Sequence, residues 1–142
     1  MQYPALLKLC NPSDYERYYN NHYCNTQIFT FDNIRVFFPI GSFKHAFYES
    51  SNRRKKNKNV FSYDRAERMD WIAIALRDPN ADLFIGWDNI HKRLEYKRRV
   101  AIVVNNYVVI IQMKNNIEAF FITAFVADTY TIGRIRNNPR WI

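Results

Sequence analysis

The sequence predicts an α+β fold in which amino-terminal helices pack on one face of an antiparallel β-sheet, within a single domain. Apolar residues recur at helical spacing up to about Leu76 and then alternate with a period of two. Asn-Asn pairs at 105–106 and 115–116 stand where tight hairpin turns need residues able to adopt positive φ. The length of 142 residues fits one domain, and a hydrophobic content of 48% is enough for a sizeable core.

The first elements are a helix and a hairpin. Asn11-Pro12-Ser13-Asp14 is typical of a helix start, because an asparagine cap precedes a proline in the first turn. Residues 27–31 and 34–38 are β-prone. Asp32-Asn33 separates them and predicts a two-residue hairpin turn.

Further helices are expected after the hairpin. The first covers residues 43–50, with Ser42 as its cap. The next runs over 64–76, where Asp64 and Glu67 are spaced as in a capping box. The apolar stripes of these segments predict that they pack on the sheet.

The second half of the sequence predicts consecutive antiparallel strands, a meander, at residues 83–87, 91–98, 100–104, 107–113 and 118–126. Residues 100–104 and 108–111 are apolar on both faces, so these strands should be central and covered on both sides. No repeat and no interior boundary is visible. We therefore interpret residues 1–40 as an extension of the same domain and residues 41–142 as its core.

The net charge of +8 lies entirely beyond residue 40. Cationic clusters occur at 53–58 and 92–99, and a basic tail follows at Arg134, Arg136 and Arg140. Taken alone, the first cluster is typical of a solvated surface loop. Several clusters on a chain with a pI near 9.6 favour a phosphate backbone as partner. A membrane surface is not expected, because neither cluster has the apolar face of an interfacial helix.

No cofactor, metal or disulfide is expected. Cys10 and Cys24 are interpreted as reduced thiols, and the histidines are too scattered for a zinc site. The carboxylates include no close pair that would hold Mg²⁺ beside a phosphodiester. The longest apolar run, 119–127, is too short to cross a bilayer as a helix.

RNA is the nucleic acid whose cleavage needs no metal, because its 2′-OH is a built-in nucleophile. The reaction needs a base, an acid and donors for the developing phosphorane charge. His45 is the candidate base or acid. It lies beside Lys44 and the cationic 53–58 cluster, and positive surroundings favour its neutral form near pH 7. The alternative is a surface or capping histidine.

Arg65, Arg68 and Thr123 complete the candidate catalytic set. The arginines are spaced i, i+3 and can present two guanidiniums to one phosphate. The alternative is pairing with the acidic neighbours Asp64, Glu67 and Asp70. Thr123 interrupts an apolar strand, so its hydroxyl either bonds the backbone or faces a site. The candidate substrate-binding residues are Lys44, Arg53, Arg54, Lys55, Lys56, Tyr96 and Arg98. For Tyr96, a structural strand role is the alternative.

The order of several short segments resembles that of the phage-type branch of the barnase, EndoU, colicin E5/D and RelE-like (BECR) nuclease superfamily. The segments are 43–47, 61–68, 71–72, 78–79 and 121–125. The resemblance covers about residues 36–140. Members occur as modules of phage polyvalent proteins and as toxin domains in bacterial competition.

The resemblance implies an α+β RNase-like fold and metal-independent RNA cleavage. The family's helix histidine falls on His45, its arginine on Arg65 and its late threonine on Thr123. Phe125 stands where the family commonly has tyrosine, so a phenolic donor is absent there, and Tyr96 and Tyr130 are the candidates to replace it. The resemblance also implies tRNA or another structured RNA as substrate and an acidic immunity or antitoxin protein as partner. Action is then expected in the cytoplasm, with secretion or delivery within a larger protein as a further route.

The leading hypothesis is thus a metal-independent endoribonuclease that acts by 2′-OH attack. His45 serves as general base or acid, Arg65 and Arg68 clamp phosphate, and Thr123 donates near the scissile group. A non-catalytic RNA-binding module and an interaction domain for an acidic protein partner are the competing hypotheses.

Overall fold

A computed structural model describes residues 2–50, 59–88, 93–94 and 99–141. The helices are α1 (Pro12–Tyr19), α2 (Ser42–Phe47), α3 (Tyr63–Ala66), α4 (Met69–Arg77) and α5 (Thr129–Arg136), with a π-helical turn at Asn20–Cys24. The strands are β1 (Ile28–Phe29), β2 (Arg35–Phe37), β3 (Tyr48–Glu49), β4 (Val60–Phe61), β5 (Asp82–Ile85), β6 (Trp87–Asp88), β7 (Arg93–Leu94), β8 (Arg99–Val104), β9 (Tyr107–Met113) and β10 (Glu118–Val126). The predicted α+β class is confirmed.

The main sheet has the order β1-β2-β10-β9-β8-β5. Its pairings are antiparallel except one, since β2 runs parallel to β10. The expectation of a wholly antiparallel sheet is therefore wrong at this point. A parallel pair needs a long crossover connection, which the helices and strands between β2 and β10 provide.

Helices cover both faces of the sheet. The larger core lies under α1 to α4 and includes the fully buried Tyr15, Tyr19, Phe47 and Phe121. On the opposite face, Ile132 of α5 packs with Ile135 against a second core that contains Phe84, Val103 and Val108. The prediction that helices cover only one face of the sheet is therefore wrong, because α5 packs on the other face. Its sequence gives little signal, because no residue of this helix is fully buried.

Several local predictions are confirmed. Asn11 caps α1, accepting from the Asp14 backbone N–H, and Pro12 occupies the first turn. Asn105 adopts positive φ in the β8–β9 hairpin, as predicted. Asn33 also has positive φ, but the β1–β2 turn is centred on Phe31-Asp32 rather than Asp32-Asn33, because the Asn33 N–H bonds to the Thr30 carbonyl. The prediction for the 115–116 pair is wrong in this respect, since neither residue takes positive φ. The central strand β9 contributes to both cores, as its two apolar faces predict.

The helix predicted over 64–76 is interrupted, and its cap is Ser62 rather than Asp64. The Ser62 hydroxyl accepts from the Arg65 backbone N–H at 3.2 Å. In a continuous helix the Arg68 backbone N–H would bond to the Asp64 carbonyl. Here Nη1 of the Arg68 side chain donates to the Asp64 carbonyl at 2.8 Å, and the Arg68 backbone N–H donates to the Arg65 carbonyl instead. This exchange separates α3 from α4.

The helix predicted over 43–50 ends at Phe47. Gly41, not Ser42, occupies the cap position, and the Ser42 hydroxyl lies 3.5 Å from the Phe121 carbonyl, to which it donates. Tyr48 is extended and pairs with Phe61 in the β3–β4 ribbon, since an aromatic side chain suits a half-buried strand. Among the described residues, no helix has the length and apolar character needed to span a membrane.

Candidate active site

The candidate site lies along β10, where β2 ends. The pairing of β2 with β10 covers only Glu118, Ala119 and Phe120. Beyond that point α2 packs against β10. The β9–β10 register shifts between Phe121 and Thr123. Such a bulge re-aims the side chains that follow it, and bulges are frequent beside active sites.

Arg65 reaches this bulged strand from α3. Its Nη1 lies 3.5 Å from Thr123 Oγ1 and 3.3 Å from the carbonyl oxygen of Ala46, and it donates to both. Its guanidinium carbon lies 5.4 Å from the centroid of the Phe125 ring. The structure thus brings together two of the candidate catalytic residues, Arg65 and Thr123. They are joined to α2 through Ala46.

The backbone of α3 determines the position of Arg65. Ser62 is 5% exposed and its hydroxyl caps the helix on the N–H of Arg65 itself. Ala66 is fully buried, which anchors the short helix in the main core. The Arg65 side chain is 21% exposed, so its guanidinium is largely enclosed and keeps a limited solvent face.

Glu49 is a site residue that the sequence analysis missed. One of its carboxylate oxygens lies 3.6 Å from Arg65 Nε, and its side chain is 52% exposed. The sequence placed Glu49 inside a helix, where it would have pointed elsewhere. No spacing motif links Glu49 to Arg65, because their contact depends on the β3–β4 ribbon. The site therefore contains a solvent-accessible carboxylate beside a guanidinium.

His45 and Lys44 lie on the exposed side of α2. Phe43, Ala46 and Phe47 form the buried side of the same helix. The residue after His45 supplies the carbonyl that accepts from Arg65. His45 therefore belongs to the segment that holds the Arg65 guanidinium, with its side chain open to solvent.

Arg68 has partners different from those of Arg65. Its Nη1 donates to the Asp64 carboxylate at 2.7 Å, and its guanidinium carbon lies 5.1 Å from the Trp71 ring centroid. The alternative of pairing with an acidic neighbour is thus the arrangement observed. Its Nε is buried and has no hydrogen-bond partner in the described part of the chain. Because α3 and α4 are separate helices, the guanidiniums of Arg65 and Arg68 contact different residues.

The structure also describes Tyr130, Cys10 and Cys24. Tyr130 is exposed on α5, with the Arg134 guanidinium over its ring. Cys10 and Cys24 are free thiols. In the ranges described above, no group of three His, Cys, Asp or Glu residues has metal-binding geometry. Several substrate-binding candidates lie outside the described residues: Arg53, Arg54, Lys55, Lys56, Tyr96 and Arg98.

A second feature, the aromatic–cation cluster, consists of Arg35, Phe37, Lys114 and Phe120. The Phe37 and Phe120 rings are 6.0 Å apart on paired residues of β2 and β10. The Arg35 guanidinium carbon lies 4.4 Å from the Phe37 centroid, and Lys114 Nζ lies 5.7 Å from that of Phe120. Because their strand neighbours Val36 and Ala119 point into the main core, these rings lie on the opposite face.

Comparison of the chain with protein-family models, with curated proteins and with solved structures finds no match.

Proposed function

We propose that the protein is a metal-independent endoribonuclease of BECR type, with its active site on the bulged part of β10. The contact between Arg65 and Thr123 carries the proposal. It joins a largely enclosed guanidinium to a hydroxyl on a strand. That combination suits the stabilisation of a phosphorane, whose negative charge develops during attack by the 2′-OH.

Thr123 and Arg65 both keep hydrogen-bond donors that a phosphate could use. A threonine hydroxyl has one donor and two acceptor sites, so accepting from Arg65 leaves its hydrogen available for a phosphate oxygen. The guanidinium has five N–H donors, and its contacts with Ala46 and Thr123 use a single nitrogen. Further N–H groups are then left for the phosphate, in a setting where charge-assisted bonds are strong.

His45 and Glu49 would handle the protons. One side chain accepts the proton of the 2′-OH, and the other donates to the 5′ oxygen as it leaves. Both side chains are exposed to solvent; Glu49 contacts Arg65 directly, and His45 precedes Ala46, whose carbonyl accepts from Arg65. In this proposal Arg68 acts outside the reacting centre, because it is held by Asp64. The substrate by family analogy is tRNA or another structured RNA, and the partner an acidic antitoxin or immunity protein.

The decisive experiment incubates the purified protein with total RNA in EDTA. We expect cleavage products that carry 2′,3′-cyclic phosphate ends, and loss of cleavage in His45→Ala. His22→Ala is the matched control, because His22 is also exposed but lies on the π-helical turn, stacked on Tyr18. Intact RNA, or equal cleavage by the two variants, would overturn the proposal.

A second candidate is a non-catalytic module that binds single-stranded RNA. The aromatic–cation cluster favours it, because bases stack on aromatic rings while nearby cations attract phosphates. This function predicts salt-dependent RNA binding without products. Absence of RNA binding at low salt would instead favour an acidic protein partner.

A further inference from the structure

A cavity of about 220 Å³ lies beside the β8–β9 turn, apart from the contacts of Arg65. It is lined by Tyr3, Trp71, Val104, Asn105, Asn106 and Tyr107. The lining combines aromatic rings with the amide side chains of the turn. The volume is below the range of about 300–1,000 Å³ that suits drug-sized ligands, so the cavity fits a single ring system.

The aromatic rings of the cavity are held in fixed orientations. Trp71 meets the Tyr3 ring at 72° and the Tyr107 ring at 77°, with centroid distances of 5.8 and 5.4 Å. Trp71 Nε1 donates to the Pro4 carbonyl, and the Tyr107 hydroxyl donates to the Arg68 carbonyl. Because the polar ends of these rings are already bonded, a ligand would meet apolar ring surfaces that need no rearrangement.

The phenols remain donors over the accessible pH range. Burial raises the pKa of Tyr107 well above its ordinary value. Burial, together with the Asp78 carboxylate that accepts from it, raises the pKa of Tyr3. Both hydroxyls therefore stay protonated, and the walls of the cavity carry no negative charge from phenolate.

The amides of Asn105 and Asn106 are the polar groups of the cavity. Their side chains are exposed and form no hydrogen bond with any other residue that the structure describes. Their backbones are fixed, since the Asn105 carbonyl accepts from Arg136 and the Asn106 carbonyl accepts from Ala127. An amide offers both donors and an acceptor, which matches the mixed edge of a nucleobase.

A cation stands next to this cavity. The Arg68 guanidinium lies over the Trp71 ring, with its Nε buried and without a partner in the described chain. A positively charged guanidinium, paired with the Asp64 carboxylate, therefore lies against the ring that lines the cavity. A ligand made of a flat heterocycle and an attached phosphate is complementary to this arrangement.

We propose that the cavity is a nucleobase-binding subsite that takes one unpaired base of an RNA strand. The choice of RNA rests on the proposed function. Thr123 pairs with Ile110 and Val126 with Tyr107, so the two places are three residues apart on β10. That separation is about 10 Å along the strand at roughly 3.3 Å per residue, and the two places lie on opposite faces of the sheet, because Ile110 packs with the second core and Tyr107 lies in the main core. One RNA strand that occupied both places would therefore pass around β10.

The test is a titration of the full chain with adenosine, guanosine, cytidine and uridine, followed by NMR at the indole N–H of Trp71. Nucleosides carry no charge, so the net +8 of the protein contributes little to their binding. We expect shifts that differ among the four bases and change little with salt. The Trp71→Phe variant identifies the Trp71 resonance, because the indole N–H signal that disappears in it belongs to Trp71.

Asn106→Ala should weaken nucleoside binding by about 5-fold or more, because each amide hydrogen bond contributes roughly 1 kcal/mol. Asn116→Ala, in the β9–β10 turn away from the cavity, is the matched control and should bind as the parent does. Asn106→Asp keeps the shape but replaces the amide donors by acceptors. It should change the order of preference among the nucleosides.

The subsite is overturned if no nucleoside shifts the Trp71 signal, or if Asn106→Ala and Asn116→Ala bind equally. Cleavage of RNA without nucleoside binding overturns the subsite alone. Base-selective nucleoside binding in a protein that fails to cleave RNA supports the subsite and removes the nuclease proposal.

Discussion

Arg65 Nη1 donates to Thr123 Oγ1 across 3.5 Å and thereby joins the first turn of α3 to the bulged strand β10. The same nitrogen donates to Ala46, so three elements meet at one guanidinium. The Thr123 hydroxyl is oriented by this contact with its hydrogen directed away from Arg65, because the oxygen acts as acceptor. A change at either residue should therefore affect the other.

Thr123→Val removes this hydroxyl while keeping the shape of the side chain. We expect the kcat of RNA cleavage to fall by about 10²-fold, as for the loss of a donor that stabilises developing charge. Thr123→Ser, which keeps the hydroxyl, should retain most of the activity. Single-turnover cleavage of one RNA substrate measures both variants. Equal rates for Val and Ser would assign Thr123 to packing alone.

Ser62→Ala should lower the free energy of unfolding by about 1 kcal/mol, because it removes the cap of α3 and leaves the Arg65 N–H without its acceptor. Urea denaturation measures the change. Ser42→Ala is the control, since the Ser42 hydroxyl makes only a 3.5 Å contact and does not cap its helix. A loss as large at Ser42 as at Ser62 would argue against the capping role.

Asp82 should make stability depend on acid pH. The hydrogen bond from Arg136, with a second from Arg140, holds the pKa of the Asp82 carboxyl below its ordinary value. A depressed folded-state pKa stabilises the fold above the unfolded value of about 3.9, and this contribution is lost as pH falls through the folded pKa.

Asp82→Asn should therefore cost up to about 1 kcal/mol at pH 7, the usual size for partly exposed ion pairs. Thermal unfolding of both proteins between pH 7 and pH 2 measures the difference. It should shrink toward zero below pH 4. A difference that stays constant over this range would place its origin outside the carboxylate.

The aromatic–cation cluster should contribute to binding of single-stranded RNA. Phe37→Leu should weaken binding of a short unstructured RNA by about 5-fold or more, because stacking on an aromatic ring contributes roughly 1–3 kcal/mol per base. Phe31→Leu is the matched control, since Phe31 is 41% exposed and outside the cluster. Fluorescence anisotropy at fixed salt measures both. Equal affinities for the two variants would exclude this cluster as a stacking surface.

Periodicity was sufficient to predict β8, β9 and β10, and the Asn105-Asn106 pair predicted the turn between β8 and β9. Most of the strand predicted at 91–98 lies outside the described residues. The alternation of residues 83–126 and the apolar faces of β9 carry that information locally. The cap at Asn11 was predictable for the same reason, since its hydrogen bond spans only three residues. The neighbouring positions of Arg65 and Thr123 were suggested only by the resemblance to a family.

Other features depend on contacts that no local pattern encodes. The break after α3 arises because the Arg68 side chain competes with its own backbone N–H for the Asp64 carbonyl. The parallel pairing of β2 with β10 joins segments from opposite ends of the chain. Glu49 reaches Arg65 only because Tyr48 begins a strand. Tertiary packing decides each of these outcomes over the local propensity.

The contacts of α2 and α3 with β10 also determine when the candidate site can form during synthesis. Ser42 and Arg65 find their partners Phe121 and Thr123 at sequence separations of 79 and 58 residues. A nascent chain that ends before Glu118 already contains His45, Glu49 and Arg65 but lacks the strand that they flank. Since such distant pairings form late, the candidate site assembles only as the final strand leaves the ribosome.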